Sequence, residues 1–238
     1  MPKAEDVRSM FSGIAGRYDL LNHVLSFGLD FHWWRRMARA SGAAPGKRYL
    51  DVAAGTGDSS LALARRGAEV VSTDFTHAML RLGPAKFRRK GFDHLVWASV
   101  DADAMRLPFR DALFDGITIC YGIRNVEKRP LAYAEFLRVL KPGGRLTILE
   151  FSRPRWALLR WGYDLYSLRL MPWIGGLLSG DRSAYTYLPE SIRAFPDQPR
   201  LAAELEEAGF SQVRWENLSQ GIVALHQGTR PDSGAVHP

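Results

Sequence analysis

The chain has 238 residues, 46% of them hydrophobic and 24% charged, a formal charge of +7 and one cysteine, a balance that suits one globular domain with one large core. The lone Cys120 excludes an intramolecular disulfide and a cysteine-based zinc site, and no metal is expected. No apolar run reaches the length of about 18 residues that spans a bilayer, and residues 1–10 lack the apolar stretch of a signal peptide, so a cytoplasmic protein is expected.

In chain order, residues 5–45 read as a helical N-terminal cap with aromatics at Phe11, Tyr18, Phe27, Phe31, Trp33 and Trp34. Residues 47–152 alternate strand-like and helix-like runs, the pattern of a parallel sheet covered on both faces. The run 48–54 is the first buried strand, and Gly55-Thr56-Gly57 turns it into a helix that ends at Gly67. Strands are expected at 70–73, 95–99, 116–120 and 145–151. Pro84 should kink or shorten the helix after the second strand, and Lys141-Pro142-Gly143-Gly144 should form a turn. Residues 153–196 form a helical, aromatic insertion, 197–228 a helix and a hairpin, and 231–238 a disordered tail. Residues 1–230 thus make a single domain.

The sharpest local signal is Asp51-Val52-Ala53-Ala54-Gly55-Thr56-Gly57 at the first strand-to-helix turn. Glycines serve where the backbone must turn tightly under a ligand, and α/β sheets bind ligands beyond the carboxyl ends of their strands. Asp74 closes the second strand, 19 positions after Gly55, where a carboxylate accepts both ribose hydroxyls of an adenosine. A dinucleotide site would want a third glycine where Ser60 stands. Asp58, directly after Gly57, would repel a phosphate and tolerate a sulfonium; it also complements the helix dipole. Asp101-Ala102, past the third strand, reads either as an adenine contact or as a turn, and Cys120 and Tyr121 reach the rim of the site.

Read in order, these segments resemble the ubiquinone and menaquinone biosynthesis C-methyltransferases. The resemblance begins with Met10-Phe-Ser-Gly-Ile-Ala-Gly-Arg-Tyr-Asp19, Asn22 and Leu25-Ser-Phe-Gly28. It continues through Tyr121-Gly-Ile-Arg-Asn-Val126, Arg138-Val-Leu-Lys-Pro-Gly-Gly-Arg145 and Glu150-Phe-Ser152. Ser179-Gly-Asp181, Tyr185-Thr-Tyr-Leu188, Phe195-Pro196, Asn217-Leu218 and Gly221-Ile-Val-Ala224 follow, so that it covers residues 8–228.

The resemblance implies a doubly wound, mostly parallel seven-stranded α/β sheet, Rossmann-like, of the class I S-adenosylmethionine-dependent methyltransferases. It implies cofactor contacts at Thr56, Asp74, Asp101 and Ala102, and the cofactor-binding set also takes in Cys120 and, at the turn, Asp51, Gly55 and Gly57. Cys120 stands where the family has a serine, a weaker hydrogen-bonding group. Ala54 replaces a glycine common in relatives, and a methyl there should be tolerated.

The implied reaction is methyl transfer to a ring carbon of a prenylated quinol, a demethylmenaquinol or its benzoquinol counterpart. Donor and acceptor must be aligned, a ring hydroxyl must lose its proton, and positive charge must favour the phenolate. Arg124 is the candidate for that charge, though an arginine there also fits a structural ion pair. Asn125 would orient a hydroxyl or a water. Tyr18 and Asp19 are the candidate bases, and Tyr18 reads equally as a lid aromatic; His23, His32 and His77 read as helix-surface residues. The Trp- and Arg-rich run 153–171 reads either as a prenyl-tail entrance at a membrane interface or as a cap on the sheet. Expected partners are the quinol and, transiently, the inner face of the cytoplasmic membrane. Nucleic acid is not expected, because neither an RNA-binding appendage nor a catalytic cysteine pair or Asn-Pro-Pro-Tyr-type motif is read in the sequence, and homo-oligomerisation is left open.

Overall fold

The computed structural model describes residues 4–154, 156 and 183–232. The cap comprises α1 (Ala4–Ile14), α2 (Tyr18–Leu25) and α3 (Leu29–Ser41). The core runs β1 (Arg48–Val52), α4 (Asp58–Ala64), β2 (Glu69–Asp74), α5 (His77–Leu80), α6 (Gly83–Lys90), β3 (Val96–Asp101), β4 (Phe114–Cys120), α7 (Arg129–Val139) and β5 (Leu140–Phe151). Then come α8 (Ser183–Ala194), α9 (Gln198–Glu207), β6 (Ser211–Leu218) and β7 (Val223–Thr229).

The strands form one sheet in the order β3-β2-β1-β4-β5-β7-β6. The first five are parallel, and β7 runs antiparallel to both its neighbours. A strand buried on both faces reads as a near-continuous apolar run, and β1 and β4 are such strands: Leu50, Ile117 and Ile119 are fully buried, with Asp51 and Thr118 the buried polar exceptions. Two cores result. Trp33, Met37 and Leu63 pack on one face, and Phe114, Phe136, Leu201 and Leu205 on the other.

The helix after β2 is short: α5 stops at Leu80, and Pro84 starts α6 at its first turn, where a missing N–H costs nothing. One punctuation signal acts differently from expectation. The Lys141–Gly144 turn is absorbed into β5 as a bulge between the pairings Phe114–Leu140 and Gly116–Arg145. There Gly143 N–H donates to Arg230 C=O at 3.0 Å and Arg230 N–H to Gly144 C=O at 2.8 Å.

Candidate active site

The order of the sheet reverses at β1, between β2 and β4, and a crevice opens beyond the carboxyl ends of these strands. It holds about 810 Å³ of empty space, part of it open to solvent, lined by residues of β1, β2 and β4, the loops that follow them and the loop after β3, with Phe11 and Tyr18 of the cap above.

Gly57 enters α4 at φ 90°, and a Cβ there would lie 2.4 Å from the Phe87 ring, so both backbone freedom and the absence of a side chain are required. Ala54, by contrast, is absent from the left-handed residues, and its methyl is accommodated. Beneath the turn Asp51 is fully buried. Its carboxylate accepts from Ser59 Oγ and Ser60 Oγ, both at 2.6 Å, and from Thr118 Oγ1 at 2.7 Å. Burial pushes its pKa up to about 6 against the pull of these hydroxyls. Asp51 therefore ties α4 and β4 to the turn from below and stands outside the lining of the crevice.

Asp74 is held at the edge of the crevice. Its Oδ2 accepts from Gly55 N–H at 2.8 Å and its Oδ1 from Thr76 N–H at 2.7 Å, and the Thr76 hydroxyl also bonds to the carboxylate, which lines the crevice. Burial raises its pKa, and the two amides and the Thr76 hydroxyl oppose the rise. Gly55, Ala102, Cys120 and Asn125 also line the crevice. Asp101 does not: its exposed carboxylate turns outward to His77 Nδ1 at 2.8 Å, while Asp103, whose carboxylate accepts from Met105 N–H at 2.8 Å, is among the lining residues. Burial pushes the Cys120 thiol well above its usual pKa, so it stays neutral.

Thr56 is buried by a contact that sequence reasoning missed. Its hydroxyl donates to Asp19 Oδ1 at 2.5 Å and accepts from Lys86 Nζ at 3.0 Å. Lys86, one-tenth exposed, also pairs with Asp19 at 2.6 Å and Asp58 at 2.9 Å. This cluster latches α2 onto the glycine turn. Next to Asp19, Tyr18 closes the crevice with its ring edge-on to Phe11, and burial raises its phenol pKa.

Arg124 has a different immediate environment from the one expected of a group facing a substrate. Nη1 pairs with Glu150 Oε1 at 2.5 Å and donates to Tyr121 C=O at 2.5 Å, with both charged side chains buried. Burial raises the pKa of Glu150, and Arg124 opposes this. His23 is likewise not a plain surface residue: Nδ1 lies 2.5 Å from Oδ2 of the buried Asp30. Of the run 153–171 only Arg153, Pro154 and Trp156 are described; Trp156 is exposed, and Arg153 donates to Arg193 C=O.

Among the described residues, the lining includes Asp74, Asp103 and Glu127 but no lysine, arginine or histidine. Apolar Phe75, Met79, Met105 and Val126 flank the carboxylates. Such a lining fits an adenosine carrying a cation and disfavours a pyrophosphate.

The profile of the ubiE/COQ5 methyltransferase family matches residues 1–230. The chain is 48% identical over 224 residues to the demethylmenaquinone methyltransferase of Streptomyces avermitilis, covering 94% of each. It is 47% identical over 232 residues to the ubiquinone/menaquinone biosynthesis C-methyltransferase UbiE of Teredinibacter turnerae, covering 96% of this chain and 92% of that one. Among solved structures, a SAM-dependent methyltransferase from Aquifex aeolicus superposes with a TM-score of 0.60 at 16% identity, over 82% of this chain and 88% of that one. The cyclase SpnF superposes with a TM-score of 0.73 at 20% identity, over 98% of both. At such identities the likeness shows a shared class I, Rossmann-like fold, which hosts more than one chemistry.

Proposed function

The chain belongs to the ubiE/COQ5 methyltransferase family, and from that premise we propose that it methylates a ring carbon of a demethylmenaquinol. S-adenosylmethionine is its cofactor, and it supplies an electrophilic methyl group on a sulfonium. The observation that carries the acceptor is the end-to-end match, 48% identical, to a demethylmenaquinone methyltransferase.

The residues present fit the cofactor. The Asp74 carboxylate would take the ribose hydroxyls, and the backbone at Ala102 would face the adenine. The carboxylates of the crevice would balance the cation without any phosphate-binding group.

For the acceptor, the phenol of Tyr18, kept neutral by burial, donates a hydrogen bond to a quinol oxygen. Asp19, beside it, takes the hydroxyl proton through a water, and Asn125 orients that water or the second oxygen. The ring carbon ortho to the phenolate would then take the methyl group as the bond from that methyl to sulfur breaks and leaves a neutral thioether, and the proton on that carbon would pass to water as the ring regains aromaticity. Arg124 acts from below by holding the Tyr121 carbonyl and hence the floor on which the ring lies.

A polyprenyl acceptor resides in the bilayer, and among the described residues no helix is long and apolar enough to cross one. Peripheral, transient contact with the membrane surface follows, favoured by the net positive charge. Relatives named for both quinones support a benzoquinol acceptor as the second reading.

The test is direct. Purified protein is incubated with S-adenosylmethionine and an equal mixture of demethylmenaquinol and the demethylated benzoquinol, and products are read by mass spectrometry. Methylated naphthoquinol should dominate. Exclusive benzoquinol methylation would replace the first reading by the second, and no product from either would sink both.

A further inference from the structure

Five of the eight large apolar side chains that stand exposed among the described residues lie within positions 20–31: Leu20, Val24, Phe27, Leu29 and Phe31. They share one corner. Leu20 and Val24 are one helical turn apart on α2, Phe27 sits in the turn, and Leu29 and Phe31 open α3. Exposed apolar residues scattered singly need no explanation, but a contiguous group does.

Phe27 is the most exposed of them, at 78%. Its φ is 53°, a left-handed conformation that a bulky residue takes only when its surroundings impose it. The turn is held by Phe27 N–H to Val24 C=O at 3.1 Å, Gly28 N–H to His23 C=O at 2.9 Å and Leu29 N–H to Ser26 C=O at 3.0 Å. Beneath it the His23–Asp30 pair closes α2 against α3. Backbone strain is thus accepted to aim a phenylalanine at solvent.

The charges around the corner are sorted by sign. Both nearby carboxylates turn inward, Asp19 to Thr56 and Lys86, and Asp30 to His23. The exposed stripe of α3 continues from Phe31 to Arg35 and Arg39 at four-residue spacing, one face of the helix. The same α2 carries Tyr18 at the crevice, so the corner lies beside its mouth.

We propose that the α2–α3 corner docks on a bilayer bearing anionic headgroups. Its apolar side chains enter the boundary between headgroups and acyl chains, and Arg35 and Arg39 meet the phosphates. The crevice is thereby held against the leaflet. The purpose of this contact rests on the prenylated acceptor; the contact itself does not.

The experiment uses the full chain with vesicles of phosphatidylcholine, alone or with added phosphatidylglycerol. Wild type should co-sediment with the anionic vesicles at low salt and be released at about 0.5 M salt, where charge interactions are screened beyond a few ångströms. The Phe27→Ser/Phe31→Ser variant should need at least ~10-fold more lipid, with turnover of a tail-less soluble quinol within about two-fold of wild type. Arg35→Gln/Arg39→Gln should bind with less salt dependence. Phe27→Cys, labelled with a polarity-sensitive fluorophore, should shift to the blue on anionic vesicles, since the other cysteine, Cys120, is buried.

Unchanged sedimentation together with an unshifted label would overturn the proposal. So would equal loss of turnover on tailed and tail-less quinols, or a serine variant that only converts a dimer to a monomer, since the corner would then pack against a second copy. A wild type that binds vesicles and shifts the label but methylates no quinol would refute the acceptor, while this surface would stand.

Discussion

The Arg124 guanidinium lies 2.5 Å from the Glu150 carboxylate and, through the same Nη1, donates to the carbonyl of Tyr121. Tyr121 has φ 57° and Ala53, across the floor of the crevice, φ 52°; a Cβ on the intervening Gly122 would lie 2.4 Å from that of Ala53. The ion pair thus holds left-handed Tyr121 and the Gly122–Ala53 approach beside it at the floor of the crevice, a strained arrangement that only dense surroundings keep in place.

Removing one partner of a buried pair leaves an uncompensated charge and typically costs 3–5 kcal/mol, or roughly 6–20 °C of Tm in a chain of this size. Glu150→Gln should lie in this range by thermal and urea unfolding, with quinol turnover falling alongside. Arg124→Lys should also lower turnover, because an ammonium cannot reproduce the planar guanidinium that lies over the Phe151 ring, 5.6 Å from its centroid. Full stability in Glu150→Gln would show that the pair does not hold the floor.

Asp74 lines the crevice at the end of β2. Asp74→Ala should weaken S-adenosylmethionine binding by about 1.5–3 kcal/mol, roughly 10- to 150-fold, the scale of hydrogen bonds to a charged group. Calorimetry on the folded variant measures this, and an unchanged affinity would remove Asp74 from the site.

Lys86 links the cap to the glycine turn. Lys86→Met leaves Asp19 and Asp58 facing each other without a cation, so α2 should loosen and show faster amide exchange over Tyr18–Leu25 in the cofactor-free protein. Cofactor affinity should fall by about 1–3 kcal/mol, and Lys86→Arg should recover part of it. Because Lys86 and Asp19 share one network, Lys86→Met/Asp19→Asn should cost less than the two single changes added. Strict additivity, with exchange in α2 unaltered, would show that the latch does not exist.

Two buried groups give stability opposite pH dependences. Asp51 has its pKa raised by burial from 3.8 to about 6, so the folded state binds the extra proton and stability falls as pH rises through that window. His226 has its pKa lowered by burial from 6.5 to about 4, so the unfolded state binds the extra proton and stability rises over nearly the same window. Each contributes about 3 kcal/mol at most. The two oppose each other in wild type, and single variants should separate them: His226→Gln should lose stability from pH 4 to 7, and Asp51→Asn should gain it. Parallel curves for the two variants, followed by urea unfolding, would contradict these environments.

The sequence by itself determined the parallel core and the place of the cofactor turn, because both rest on local chemistry. Apolar runs make doubly buried strands, Gly57 meets a left-handed φ, and Asp74 sits at a strand end whose distance from Gly55 is set by one helix. The tertiary structure alone decided which polar groups touch. Asp51 and Asp101, read as cofactor contacts, lie respectively beneath the turn and facing outward, since only packing says which side of a chain is the ligand's. Lys86 joins Thr56 from 30 positions away, and Glu150 neutralises Arg124 from 26 positions away. No periodicity or spacing predicts such pairs, because the chain between their members folds back through whole helices and strands. The exposed corner at Phe27 was hidden for the same reason: its apolar residues look like core until the fold leaves them exposed.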